Sequence, residues 1–432
     1  MPDASSPVPE PGRPSFAEAL RFWLKLGCIN FGGPAGQIAI MQHELVDRKR
    51  WIDQGAFLRG LTFANLLPGP EAQQLATYIG WRLHGTWGGV AAGALFIIPG
   101  AIVLFALSWV AAAHGRMPLV AAVFDGLKPV VIAVIAQAVW RVGSRTLHSW
   151  PAVALSAAAF LAIFAAGIDF PWIVLAAAAI GWFWPGERSP FSQGGHGPAA
   201  AADVAHAAAH RSPWRLVGLL GLFVALWAAA VSATIVFAGR APFADIATLF
   251  TKAAFVTFGG AYAVLPYIAD AAVNDYGWLT PADMLNGLAL AETTPGPLIL
   301  VLQYVGFFAG WNNPGAHSPF AAAMLAAMLT SYVTFLPSFL FILLGAPYVE
   351  GLHAHPRVGA ALGAITAAVV GVILNLGVFL AHGVLLPAGG IAWFAIAVTI
   401  ASFVALQRFK VAIHWLVLAG ALVGLAQRFL GG

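Results

Sequence analysis

Charge is what this sequence has least of. Only 9% of its 432 residues are Asp, Glu, Lys or Arg, against 60% apolar, whereas soluble domains carry about 25% charged and 45–50% apolar residues. Too little charge remains to clothe a water-facing surface, which excludes a soluble globular protein. Cysteine is almost missing as well: Cys28 stands alone, so neither an internal disulfide nor a cysteine-based metal cluster can form. The N-terminal MPDASSPVPEPGRPS lacks the basic stretch and apolar core of a signal peptide, and residues 1–15 read as a disordered tail. No HExxH, paired-acid motif, nucleophile with its base, or GxxxxGK[ST] loop occurs. The sequence therefore points away from an enzyme, from direct ATP drive and from any cofactor or metal. The pI near 9.4 fits basic loops around membrane spans, and no nucleic-acid partner is expected.

What is there is helix-length and apolar. Runs at 86–113, 118–140, 151–167, 213–238, 318–347, 357–381 and 390–406 lack the alternation of a membrane barrel. The lipid bilayer is thus the expected surroundings. Only 185–213, rich in Gly, Pro, Ala and His, looks soluble and reads as a linker; His206 and His210 sit at i, i+4 without further metal ligands. Asp125 and Lys128, one helical turn apart, read as a structural pair.

The chain also repeats itself. With an offset of 227, residues 16–70 overlay 243–297 without a gap and share fifteen of fifty-five residues. Among them are FGG (31–33 and 258–260), Trp51/Trp278, Lys25/Lys252 and PGP (68–70 and 295–297). Gly, Pro and Trp are poorly reproduced by shared hydrophobicity, so duplication is the expected origin. The organisation predicted is a repeat at 16–184, a linker plus an extra span at 185–242, and a second repeat at 243–432.

Loop charge orients the copies, because Lys and Arg gather on the cytoplasmic side. Arg48, Lys49 and Arg50 face Asp275, Tyr276 and Gly277; Arg141 and Arg145 face the uncharged AHGVLLPAGG; and GIDFP at 167–171 faces QRFK at 407–410. All three loop pairs change sides. The expected fold is therefore an all-α, polytopic membrane protein of two inverted-topology repeats with membrane helical hairpins, and the span at 213–238 supplies the crossing that inversion needs.

Segments 16–29, 35–47, 54–67 and 70–84 make helices of roughly 20 Å, too short for a hydrocarbon core of about 30 Å. They read as hairpins reaching partway into the membrane, with FGGP and PGP at the tips. A helix beginning there presents unpaired N–H groups and a positive dipole end, and glycine lets an anion approach the backbone. The candidate substrate-binding residues are Asn30, Gly32, Gly33, Pro68, Gly69 and Pro70 in the first copy. Thr257, Gly259, Gly260, Thr294, Pro295, Gly296 and Pro297 are the candidates in the second, and Lys25 and Lys252 form a symmetric pair suited to a doubly charged oxyanion. Asn65, Gln73 and Thr293 stand beside the breaks as further donors or backbone caps. Glu71 and Glu292, at the PGP tips, are proton-coupling candidates.

The doubled FGG and PGP cores, GGPAGQIAIMQHELVDRKRWI at 32–52, GLKPVV at 126–131 and TFGGAYAVLP at 257–266 resemble the chromate ion transporter (CHR) family in its long two-domain form. The resemblance spans residues 16–427. It implies chromate efflux across the bacterial inner membrane and chromate resistance, with the N-terminus cytoplasmic and the C-terminus periplasmic. The alternatives are transport of sulfate or another dianion, or a passive anion channel; a homodimer is left open.

Overall fold

The computed structural model describes residues 14–31, 33–184, 189–191, 213–258, 260–351, 356–387 and 390–430. Every regular element among them is helical. Short elements come first: α1 (Phe16–Ile29), α2 (Gly33–Gln42) continued by a π-turn (His43–Arg48), and α3 (Gln54–Leu66). Ser15 caps α1 by accepting the Glu18 N–H, and Asp53 caps α3 by accepting that of Ala56.

α4 (Glu71–His114) is two limbs rather than one rod. His84 and Gly85 leave helical geometry, with Gly85 at φ +64°. The limbs then fold back on each other so closely that side chains at Gly80 and Gly88 would strike the opposite backbone. Glycine is required there by close approach and at residue 85 by a positive φ. The first limb is therefore as short as the sequence predicts.

α5 (Pro118–Thr146), α6 (Trp150–Phe164) and α7 (Phe170–Phe183) complete the first half, and α8 (Pro213–Ala238) joins it to the second. The second half repeats the order. α9 (Phe243–Val256), α10 (Ala261–Asp270) with its own π-turn (Ala271–Asp275), and α11 (Pro281–Thr293) lead to α12 (Val301–Asn312) and α13 (Pro319–Gly345). α14 (Pro356–Leu385), α15 (Trp393–Arg408) and α16 (Ile413–Leu430) follow. Residues at the 227 offset make the same backbone bonds: Phe31 N–H to Ile29 and Phe258 to Val256, Lys49 to Glu44 and Tyr276 to Ala271, Trp51 to Leu45 and Trp278 to Ala272.

The first pair of helices is a hairpin. Lys49, after the π-turn, lies 3.6 Å from Glu18 at the start of α1, and the Phe22 and Trp51 rings meet edge to face at 5.3 Å. FGG therefore lies at the far end. In the second hairpin Gly60 leaves room for the Tyr78 ring and Gly287 for that of Tyr304, which accounts for both glycines being shared.

Long helices cross between the halves. α5 packs on α14, α15 and α16, while α14 packs on α6 and α7. The crossings are tight because small residues meet backbone: Gly126 against Gly420 and Gly424, Gly371 against Ser156, Gly181 against Ala360. Six helices among the described residues are long and apolar enough to cross a membrane. Five of the exposed tryptophans, Trp150, Trp172, Trp214, Trp393 and Trp415, lie in the opening turns of helices, where amphipathic rings anchor at a bilayer interface. This is a polytopic membrane protein.

Two details differ from the sequence reading. Arg141 and Arg145 are not loop residues, because α5 stays helical to Thr146. Within the supposed linker, Phe191 is buried against Trp184 and α14, and Ser149 donates to the Pro190 carbonyl; an aromatic in that stretch finds apolar surface to cover. His206 and His210, and the rest of 192–212, lie outside the described residues. Asp125 and Lys128 form the expected pair at 2.7 Å.

Candidate functional site

The PGP turns are held by the opposite half. Gly69 N–H donates to the Thr257 carbonyl at 2.8 Å, and Gly296 N–H approaches the Asn30 carbonyl at 3.4 Å. Residues 69 and 296, like 30 and 257, are the same repeat positions, so the two bonds are one contact made twice in exchanged roles. Both glycines need the left-handed region, at φ +128° and +107°, where a side chain is strained.

Each PGP turn also meets a long helix of the other half at a residue that follows a proline. A side chain at Gly69 would lie against Ser338, after Pro337 of α13, and one at Gly100, after Pro99 of α4, would strike the Pro295 carbonyl. The FGG turns differ. At Gly33 (φ +72°) and Gly260 (φ +94°) a side-chain methyl would meet nothing within 4 Å, so these positions need glycine for conformation and leave open space beside the backbone. Gly32 and Gly259 lie outside the described residues.

The polar groups at the tips are unequal. In the first half Gln73, Gln74 and Thr77 follow PGP and are fully buried; in the second, Leu298, Ile299 and Leu300 follow it. Gln37, also fully buried, bridges the halves by donating to the Asn30 carbonyl at 3.0 Å and the Gly296 carbonyl at 2.6 Å. Gln74 donates to Pro68 O at 2.8 Å and Gln73 to Thr77 Oγ1 at 3.0 Å. These bonds fix each amide's orientation and leave the Oε1 atoms of Gln37, Gln73 and Gln74, and the whole Asn30 side-chain amide, buried without a partner. Orphaned buried polar atoms are costly and call for an explanation, an occupant being one. The amides of Glu71, Ala72 and Gln73 precede the first bond of α4, from Gln74 N–H to Pro70 O, and leave that helix start electropositive.

Thr257 and Thr294 are buried and spend their hydroxyls on the Ala253 and Ala291 carbonyls, as local backbone caps. Thr293 likewise donates to Leu290 O, and Asn65 is exposed. Pro68 is half-buried; Pro70, Pro295 and Pro297 are buried. Glu71 is half-buried at the start of α4, and Glu292, near the end of α11, accepts a hydrogen bond from the Tyr262 hydroxyl.

The lysines are not gathered in. The core face of α1 carries Ala19, Phe22, Trp23, Leu26 and Gly27, which leaves Lys25 on the exposed face with Glu18, Arg21 and Cys28. Lys252 stands at the equivalent place on α9 with Asp245, Thr248 and Phe255. Sequence reasoning missed Gln37, Gln74, Thr77 and Tyr262. The available signal was asymmetry: at the 227 offset Gln37 faces Val264 and Tyr262 faces Ala35, so each breaks an otherwise shared apolar pattern.

A cavity of about 1000 Å³ lies between α4, α8 and α13, walled by residues such as Ile97, Leu222, Met328 and Phe335. Apolar walls cannot replace the hydration of a dianion, so the tips remain the candidate site.

The family profile described as chromate transporter matches the chain twice, over 17–182 and 244–425. The chain is 34% identical to a chromate transport protein of Pseudomonas aeruginosa over 370 residues, 83% of this chain and 79% of that one. It is 27% identical to a chromate transport protein of Cupriavidus metallidurans, covering 94% and 92% of the two chains. A probable chromate transport protein of Synechococcus elongatus is 28% identical, over 83% of each. No solved structure matches it. On the doubled match and these identities, the chain belongs to the chromate transporter family.

Proposed function

We propose that this protein is a secondary transporter that exports chromate across the bacterial inner membrane and so confers chromate resistance. Two inverted repeats, 16–184 and 243–432, alternate access around the FGG and PGP tips, with the N-terminus cytoplasmic and the C-terminus periplasmic. The observation that carries the reading is the exchanged pair of bonds, Gly69 to Thr257 and Gly296 to Asn30. A contact made twice in swapped roles is what two related units give when they meet about a pseudo-twofold axis, the arrangement that lets one unit rock against the other. The doubled family match supports the same organisation.

In this mechanism the dianion sheds water between helix starts that supply N–H donors and positive dipole ends. The open FGG turns admit it, and the packed PGP turns, sealed by glycine contacts, keep the two sides of the membrane apart. Glu71 and Glu292 are the carboxyls available to couple a proton. Lys25 and Lys252 supply long-range attraction that draws an anion toward the tips.

Everted vesicles carrying the protein are expected to accumulate radiolabelled chromate saturably, with sulfate competing weakly and with counterflow. Equal chromate and sulfate uptake would favour a general dianion transporter, and unsaturable flux without counterflow a channel. Lys25→Ala and Lys252→Ala are each expected to lower chromate resistance in a sensitive host at equal expression, by weakening the attraction that draws the anion in. Near-normal resistance in both would show that the lysines contribute nothing and leave the tips.

A further inference from the structure

α8, the extra crossing between the halves, is anchored through its second half. Trp227 donates to Thr251 Oγ1 of α9 at 2.9 Å, and His317, just before α13, lies 3.2 Å from the Phe237 carbonyl. The stretch before these anchors, Leu219 to Leu226, instead lines the apolar cavity that it shares with α13 and the second limb of α4.

That cavity is a long groove. Its lining runs from Met324 to Leu343 on α13 and from Thr86 to Phe105 on α4, in each case about 28 Å of helix, close to the hydrocarbon thickness of about 30 Å. Trp87, Ile98, Ile102, Leu222 and Met328 in the lining are exposed, so the groove is open along a flank built from three of the membrane-length helices. Phe105 meets Phe320 at 6.0 Å and Phe237 meets His317, both at the start of α13. The starts of the second α4 limb and of α8 therefore share the opposite end, with exposed Trp87 and Trp214 and with Arg215 one turn before Leu219.

The walls select the occupant. They are apolar, and Gln303 spends its amide within the protein, donating to Ala101 O at 2.9 Å and accepting from Ser331 at 3.0 Å. A hydrated ion gains nothing there. The volume of about 1000 Å³ over that length is a mean section of roughly 35 Å², less than half the roughly 80–110 Å² of a helix about 10–12 Å across. A helix from a second copy is too wide; an alkyl chain, which carries no side chains, is not. Amphipathic rings and positive charge at one end suit a lipid headgroup and its phosphate.

We propose that this groove binds the acyl chains of a phospholipid, with the phosphate at the Trp87 end, and that the lipid packs α8 against the second limb of α4. The proposal goes beyond the transport reading and does not depend on what the tips carry.

The test is titration of the delipidated full-length protein with palmitoyl-oleoyl phosphatidylglycerol, read by native mass spectrometry. Wild type is expected to show one site tighter than the rest. Ala94 and Ala101 line the groove two turns apart on one face of α4. Ala94→Trp and Ala101→Trp are each expected to weaken that site by at least about tenfold, at about fourfold per methylene pushed out. Val103→Trp, on an exposed position outside the lining, is expected to bind as wild type does. If one groove variant fails to fold, the other decides. Wild-type affinity in the groove variants, or no tighter site in wild type, overturns the proposal. So does a wild-type dimer that both groove variants dissociate, because a second copy then fills the groove.

Discussion

Valine at Gly100 is expected to stop chromate transport while the protein still inserts and purifies. Gly100 follows Pro99 in the second limb of α4, and a side chain built there strikes the backbone carbonyl of Pro295 in the opposite half, with Leu300 Cδ1 at 3.0 Å. Backbone cannot swing aside as a side-chain end can, so either the limb or the PGP turn must move. Overpacking of this kind costs about 1–3 kcal/mol, which at about 1.4 kcal/mol per decade corresponds to a roughly five- to 150-fold loss in the population of the closed arrangement. Because the displaced element is the one that pairs Gly296 with Asn30, the loss falls on the inter-half contact and spares the rest of the bundle. Initial rates of chromate uptake into everted vesicles check it. Gly100→Ala is expected to be intermediate, and a wild-type rate in Gly100→Val would contradict the contact's role.

Gln37→Leu is expected to be as damaging by a different route. The side chain is fully buried and its two N–H donors reach the Asn30 and Gly296 carbonyls, one in each half. Leucine keeps the volume and removes both donors. A buried acceptor stripped of its partner costs about 1–3 kcal/mol, and two are stripped together. Water cannot easily replace them in a space already filled by Leu Cδ atoms. Transport is expected to fall by at least about tenfold, whereas Gln42→Leu, whose amide meets only Gln54 near the surface, is expected to be neutral. Equal rates in the two variants, measured in the same vesicles, would show that the bridge between the halves is dispensable.

Much of the scaffold is legible in the sequence. FGG, PGP and the break before residue 86 can be read because glycine and proline mark where helices cannot continue, and the reversal at His84 and Gly85 falls where the sequence ends a short helix. The pairing of the tips is not legible. Gly69 to Thr257 and Gly296 to Asn30 are backbone bonds, and a backbone bond between distant segments leaves no mark on residue identity. Arg141 and Arg145 look like loop charges because charge near an apolar run resembles a terminus; α5 carries them through its final turns instead. The exposure of Lys25 has a sequence signal that its symmetry with Lys252 outweighs: Phe22, Trp23 and Leu26 already define an apolar face of α1 that excludes position 25. The bridging amides are hidden for the opposite reason. Gln37 and Gln74 have apolar counterparts, Val264 and Val301 at the 227 offset, and a search for shared residues discards what is present once.

Alternating access around the tips requires that the two halves enter the membrane from opposite sides. Asp47 and Asn274 occupy the same place in the two π-turns and are both exposed, and the lone Cys28 can be removed as Cys28→Ser. Single cysteines at 47 and 274 in that background should be labelled with a membrane-impermeant maleimide in vesicles of known sidedness. Inversion predicts that 47 reacts only from the cytoplasmic side and 274 only from the periplasmic side. Labelling of both from one side would show parallel halves and end the mechanism proposed for the tips.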